Sequence, residues 1–241
     1  MGKKGPGKLF LLNLGMTKYK VTWNLQKKLV ALRARSVIPD CLIVTEHEPV
    51  ITMGRGTDPG NLLEPPEEIT RKGIDLFKVE RGGDITFHGP GQTILYPIID
   101  LRRRGRDVHK YLRDLESVAI AALNEIGLDA NTKDGLTGIW VHNHKLGAIG
   151  VAVSRWIAYH GLALNVADEL DHFRLIRPCG IIEYPVGSIS GMLGRRVAMN
   201  QINNLLIASF ANTFRCFPEA VEDITALTNI RTEQDSLPES I

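Results

Sequence analysis

The sequence predicts one α/β domain, of the α+β kind, in which a mixed sheet is flanked by helices. Three observations predict it. A chain of 241 residues with 44% hydrophobic content can bury one large core. Three long stretches carry the 3.6-residue spacing of amphipathic helices. Between them lie short β-rich runs joined by hairpin chemistry, not the regular strand-helix alternation of a parallel sheet.

Taken in order, KLFLLNLG (8–15) reads as a strand closed by glycine. The stretch 17–36 places Tyr19, Trp23, Leu25, Leu29 and Leu32 on one helical face. CLIVTEHEPVITMG holds two short β-rich runs, and GRGTDPGNLLEPPEE after it has the Gly, Pro and Asp content of a long loop. DLFKVE and QTILYPIID are strands on either side of the glycine-rich RGGDITFHGPGQ. Residues 107–127 form a helix capped by Asp107 and stopped by Gly127. GIWV, KLGAIGVAV and WIAYHGLALNV are β-rich, with turns at His142-Asn143-His144 and at Ser154-Arg155. Residues 199–215 are helical, and the polar tail from about residue 222 is expected to be loosely held. The core spans about 8–215 of a single domain covering 1–241.

Composition narrows the function. A formal net charge of +2 offers no bulk electrostatic hold on nucleic acid or membrane. Cys41, Cys179 and Cys216 are odd in number and lack paired zinc spacing, so neither a disulfide framework nor a structural metal is expected. LFLLNLG is too short for a signal-peptide core, Pro6 breaks a myristoylation pattern, and no apolar run reaches membrane-spanning length. The expected setting is the cytoplasm, with reduced thiols.

The strongest local signal is RGGDITFHGPGQ (81–92), whose glycines let the backbone approach a ligand while Arg81 and His88 supply polar groups. It lacks the lysine and hydroxyl of a phosphate loop, and its glycine spacing is not that of a dinucleotide fingerprint. Its length favours function over an elaborate turn. Cys179, in RPCGI, is either a nucleophile, if a cation, an imidazole or a helix N-terminus lowers its pKa, or a small buried hydrophobe. Burial is preferred for Cys41 and Cys216. Lys145 opens a strand of small residues, where an ammonium is either solvated or able to stabilise a thiolate. His142 and His144 read as exposed turn residues, not as a metal pair, and His160 as structural. The basic run 101–106 and the cations of the first helix are solvated faces or docking surfaces for an acidic partner.

RGGDITFHGPGQ, YPIIDL, GIWV with KLGAIGV, HGLALNV and PCGI follow one another in an order and spacing that resemble the lipoyl(octanoyl) transferase family, the octanoyl-[acyl-carrier-protein]:protein N-octanoyltransferases, from about Lys8 to Arg215. The resemblance implies a fold like that of the biotin and lipoate protein ligases, with Cys179 as acyl-thioester nucleophile and Lys145 lowering its pKa. It implies substrate contacts from Arg81, Gly82, Gly83 and Asp84, from Ile85, Thr86, Phe87 and His88, from Ala148, Ile149 and Gly150, and from Gly161, Leu162 and Ala163. The implied donor is octanoyl-acyl carrier protein, which brings the acyl group on its phosphopantetheine, with no ATP or metal cofactor. The implied acceptors are lipoyl domains of 2-oxoacid dehydrogenase complexes and the glycine cleavage H protein. Asp84 stands at a variable position of that pattern, and IIEYPVGSIS follows it only loosely.

Overall fold

The computed structural model describes residues 7–178 and 183–223, together with residues 225 and 227. An eight-stranded sheet forms the centre: β1 (Gly7–Thr17), β2 (Asp40–His47), β6 (Gln92–Asp100), β7 (Ala130–Lys133), β8 (Leu136–Val141), β9 (His144–Ser154), β10 (Ile157–Asn165) and β11 (Cys216–Ala220), in the order β11-β1-β2-β6-β10-β9-β8-β7. β1 runs parallel to both of its neighbours, and the other pairs are antiparallel. Beside it lies a small sheet in the order β4 (Asp75–Lys78), β3 (Val50–Met53), β5 (Ile85–His88). The expected mixed sheet flanked by helices is therefore what the chain forms.

Strand alternation divides the core in two. In β2, Leu42 and Val44 face one cluster and Cys41 and Ile43 the other; in β6, Leu95 and Ile99 oppose Ile94, Tyr96 and Ile98. The first cluster is covered by α3 (Val108–Asn124) and α5 (Met199–Phe214), through Leu115, Val118, Leu206 and Phe210, with Ile189 of the short α4 (Ile189–Leu193) beside them. The second is covered by α1 (Tyr19–Ala34), through Tyr19, Leu29 and Leu32. Each such side chain contributes about 1.5–3 kcal/mol on full burial. β6 and β10 are buried at every position because helices cover both faces.

The three long helices fall where their periodicity predicts, with the Asp107 carboxylate accepting from the Lys110 N–H at 2.8 Å as the cap of α3. Several elements depart from expectation, among them β7 and β11, which no local pattern announced, and β1, which runs past Gly15 to Thr17. ITFH, within the glycine-rich stretch, is a strand that pairs antiparallel with β3. The Pro-rich segment after Met53 closes with the short helix α2 (Pro66–Arg71), whose Pro66 suits a first helical turn. The hairpin between β9 and β10 turns at Arg155 and Trp156, φ 50° and 64°, one residue later than expected, so that Ser154 completes its pair with Ile157.

The basic run 101–106 is less free than a solvated face. Arg102 donates to the buried Asp100 at 2.8 Å and Arg104 lies 3.9 Å from the partly buried Asp40, while Arg33 of the first helix bridges the same two carboxylates at 3.2 Å and 2.7 Å, so these acids hold part of both charges. No helix among the described residues is long and apolar enough to cross a membrane. The tail beyond residue 227 lies outside the described residues.

Candidate active site

The glycine-rich stretch is shaped from within by Arg81. Its buried guanidinium donates to the Thr52 carbonyl at 2.7 Å and hydroxyl at 2.9 Å, and to the carbonyls of Asp84 at 2.7 Å and Gly82 at 3.2 Å. A planar fork reaches β3 and the loop at once, which a lysine could not do. Asp84 is also engaged: it accepts from the Asn61 amide at 2.5 Å and from the Ile85 N–H at 2.7 Å. The Gly82 N–H donates to the Val151 carbonyl at 2.8 Å and docks the loop on β9.

Strands β9 and β10 supply the floor, where Ala148 pairs with Ala163 and Gly150 with Gly161. Gly161 is required by close approach: a Cβ there would lie 2.4 Å from the Leu95 carbonyl oxygen and 2.7 Å from Pro97 Cδ. Its neighbour His160 has φ 57° and donates its N–H to Gln26 Oε1 at 2.8 Å, not to β6, where Pro97 interrupts the ladder. Between loop and floor lies a narrow slot with a cavity volume of about 40 Å³, far smaller than the roughly 300–1,000 Å³ of drug-sized sites and of a shape to take a thin, linear group. Its walls include Arg81, Gly83, Asp84, Ile85, Thr86 and His88, all of Ala148, Ile149 and Gly150, and all of Gly161, Leu162 and Ala163.

Three histidines cluster at this slot in the neutral form. Burial lowers the His88 pKa to about 3, reinforced by His47, and burial alone lowers that of His47 to about 4. Burial also lowers His160 to about 4, against the pull of Glu80, whose carboxylate lies 3.5 Å away. Neutral His88 donates from Nδ1 to Gln92 Oε1 at 2.7 Å. Gln92 Nε2 donates to Asn165 Oδ1 at 2.9 Å, and Asn165 Nδ2 donates to the Gly187 carbonyl at 3.0 Å. The Gly187 N–H returns to the Lys145 carbonyl at 3.0 Å. A buried polar chain therefore joins the glycine loop to the backbone of Lys145.

Lys145 is itself buried, 7% exposed, with its ammonium 5.6 Å from the centre of the Trp140 ring. Gly138 leaves room for its stem, since a Cβ there would approach Lys145 Cε to 2.9 Å. Lys145, Gly147, Asn165, Phe173, Pro178 and Val186 line a second, smaller cavity. That cavity shares Thr86, Ala148 and Ala163 with the slot, so the two are contiguous. Cys179 lies outside the described residues, but both flanks of its segment are tied here. The Arg177 N–H donates to the Asn61 carbonyl at 2.8 Å, and the Lys145 N–H to the Pro185 carbonyl at 2.9 Å. The other two cysteines are buried as expected; burial pushes their thiols up, Cys41 to about 12 and Cys216 to about 11.

Most sequence-derived candidates thus converge. Two stand apart: Gly82 lines an adjoining cleft with Lys145, and Phe87 points away, stacking on His172 at 4.9 Å and packing with Ile51 and Ile69. The alternation of β5 turns Phe87 from the ligand side that Thr86 and His88 face. His142 sits at an exposed hairpin tip with Asn143, as expected, but His144 already belongs to β9, pairs with Val141 and is half-buried, so it is not the exposed turn residue expected. Sequence reasoning missed Tyr19, Tyr96 and Ile94 as slot residues and assigned His160 only a structural place. The alternation of ILYPII after the glycine loop carried the signal for Ile94 and Tyr96. No group of three His, Cys, Asp or Glu suited to a metal occurs among the described residues.

Comparison with known proteins adds to this geometry. The model of the lipoyl protein ligase A/B catalytic domain matches residues 18–211. An octanoyltransferase of Geobacter metallireducens is 44% identical over 202 residues, covering 84% of this chain and 92% of its own. One of Koribacter versatilis is 40% identical over 233 residues, covering 95% and 92%. Among solved structures, a putative lipoate protein ligase of T. acidophilum superposes with a TM-score of 0.69 at 18% identity, over 92% of each chain. A lipoate-protein ligase A with bound ATP gives 0.69 at 17%, also over 92% of each. At such identities these structures speak for the fold.

Proposed function

Since the chain belongs to the lipoyl protein ligase A/B catalytic-domain family, with octanoyltransferases among its relatives, we propose that it moves an octanoyl group from acyl carrier protein to a lysine ε-amine of a lipoyl domain by way of Cys179. The supporting observation is the contiguity of two spaces: an apolar slot floored by Ala148, Gly150, Gly161 and Ala163, and a small cavity shared by Lys145 and Pro178, the residue bonded to Cys179.

In the first step the Cys179 thiolate attacks the thioester carbonyl, and collapse of the tetrahedral adduct expels the phosphopantetheine thiolate, which takes up a proton. One thioester replaces another at little net cost. In the second step the acceptor amine attacks the acyl-enzyme, loses a proton and releases Cys179 as the thiolate. The product amide is more stable than the thioester, so this step runs downhill without ATP. The Lys145 ammonium stabilises the Cys179 thiolate by charge, and backbone N–H groups near it serve the developing oxyanion. Neutral His88 and the Gln92-Asn165 chain hold the reacting end in register. No metal takes part. Acceptors are the lipoyl domains of 2-oxoacid dehydrogenase complexes and the glycine cleavage H protein. The setting is the cytoplasm, where reducing conditions keep Cys179 a thiol.

The test is the intact mass of the protein after brief mixing with octanoyl-acyl carrier protein, without ATP. An octanoyl adduct on the wild type, absent from Cys179→Ala and discharged by a lipoyl domain, is the expected result. Acceptor modification only with ATP and free octanoate or lipoate would move the chain to the ligases, and steady release of free octanoate to the thioesterases.

A further inference from the structure

The slot has a definite end. Along β9 and β10 its inward floor passes from Ala148-Ala163 to Gly150-Gly161, and the residue of β6 at the same level is Tyr96. The next inward rung, Ile98, Tyr159 and Ala152, belongs to the packed core. At this boundary stand the rings of His160 and Tyr96, edge to face with centroids 6.3 Å apart and only 2% and 3% exposed. The Tyr96 hydroxyl is anchored to His47 Nε2 at 2.9 Å. His160 holds a left-handed φ of 57°, where glycine would be the undemanding residue. A bulky ring kept in such a conformation at the end of a cavity is an observation in search of a role.

We propose that His160 and Tyr96 form the end wall of the acyl slot and set the length of chain it accepts. The proposal rests on the octanoyl-transfer reading above. The dimensions agree: from Gly147, in the cavity of Lys145 and Pro178, to Gly150 at the wall is three strand steps of roughly 3.4 Å each, or roughly 10 Å. With bonds of about 1.5 Å in a zigzag, an extended octanoyl chain spans roughly 9 Å from carbonyl carbon to methyl. A decanoyl chain would need roughly 2.5 Å more and would meet the rings.

The test compares kcat/KM for hexanoyl, octanoyl, decanoyl and dodecanoyl thioesters of acyl carrier protein, with a lipoyl domain as acceptor. Wild type is expected to favour octanoyl over dodecanoyl by roughly tenfold or more, since single methylenes are discriminated about 10- to 200-fold in fitted pockets. His160→Gly, which suits the backbone, and Tyr96→Val, which suits a strand, should each shrink that ratio by roughly tenfold. Ala148→Val, placed midway along the floor, should shift preference towards hexanoyl. Unchanged ratios in variants that melt cooperatively overturn the proposal. Equal wild-type use of octanoyl and dodecanoyl overturns it as well, while leaving the transfer reading intact. A wild type that takes no thioester of any length ends the transfer reading, and the end wall with it.

Discussion

Replacing Arg81 by methionine should disorganise the glycine loop before it alters any substrate contact. The guanidinium makes two bonds of 2.7 Å, to the carbonyls of Thr52 on β3 and Asp84 in the loop, beside longer ones to the Thr52 hydroxyl and Gly82. Hydrogen bonds from a charged donor contribute about 1.5–3 kcal/mol each, so the two short ones alone amount to roughly 3–6 kcal/mol. Domains have about 5–15 kcal/mol of stability in all, which makes the loss severe. Urea unfolding followed by tryptophan fluorescence measures it: with a slope of about 3 kcal/mol per molar, the midpoint should fall by about 1 M or more. Arg81→Lys should recover only part, because an ammonium cannot fork between β3 and the loop. A midpoint for Arg81→Met within about 0.3 M of wild type would refute this reasoning. Arg81 would then be a ligand contact and nothing more.

Lys145→Met should slow octanoyl transfer by roughly 10²–10⁴-fold, and the pH profile of Cys179 alkylation should move upward once the ammonium no longer favours the thiolate. A profile that stays in place would remove Lys145 from that role. His88, His47 and His160 have folded pKa values of about 3, 4 and 4 against an ordinary 6.5, so the unfolded chain binds more protons below pH 6.5. Their contribution is intact above pH 6.5 and is lost as pH falls towards 4; urea midpoints at pH 7 and pH 5 should differ accordingly, and equal midpoints would contradict buried neutral imidazoles. Gly161→Ala forces a Cβ to 2.4 Å from a backbone oxygen and should cost about 1–3 kcal/mol, read as a lowered Tm.

What the sequence made legible were features carried by local pattern. The three long helices showed in their periodicity, and Cys41 and Cys216 behaved as small buried hydrophobes. β5 was hidden because four β-prone residues sat inside a stretch dominated by glycine. β11 was hidden because its parallel partner β1 begins some two hundred residues earlier, and no local signal announces such a pairing. The same holds for the slot: Tyr19 comes from α1, Tyr96 from β6 and His160 from β10, and only the fold brings them together. Motif reading gathered Phe87 with its neighbours because contiguity in sequence ignores alternation. The arginines after Asp100 looked like a bare surface because the carboxylates beside them are hidden from local pattern: Asp100, paired with Arg102 and Arg103, faces inward, and Asp40, near Arg104, lies far away in sequence.

The burial of Cys41 and Cys216 also makes the folded protein its own reporter. With those thiols raised to about 12 and 11 and closed off in the core, a maleimide at neutral pH passes over both in the folded chain and labels both in denaturant. The count of labels per chain therefore separates intact from unfolded molecules in a single mass spectrum. If Cys179 carries the acyl group as proposed, loss of its label on mixing with octanoyl-acyl carrier protein counts the charged fraction among the intact molecules, with no radiolabel and no engineered cysteine.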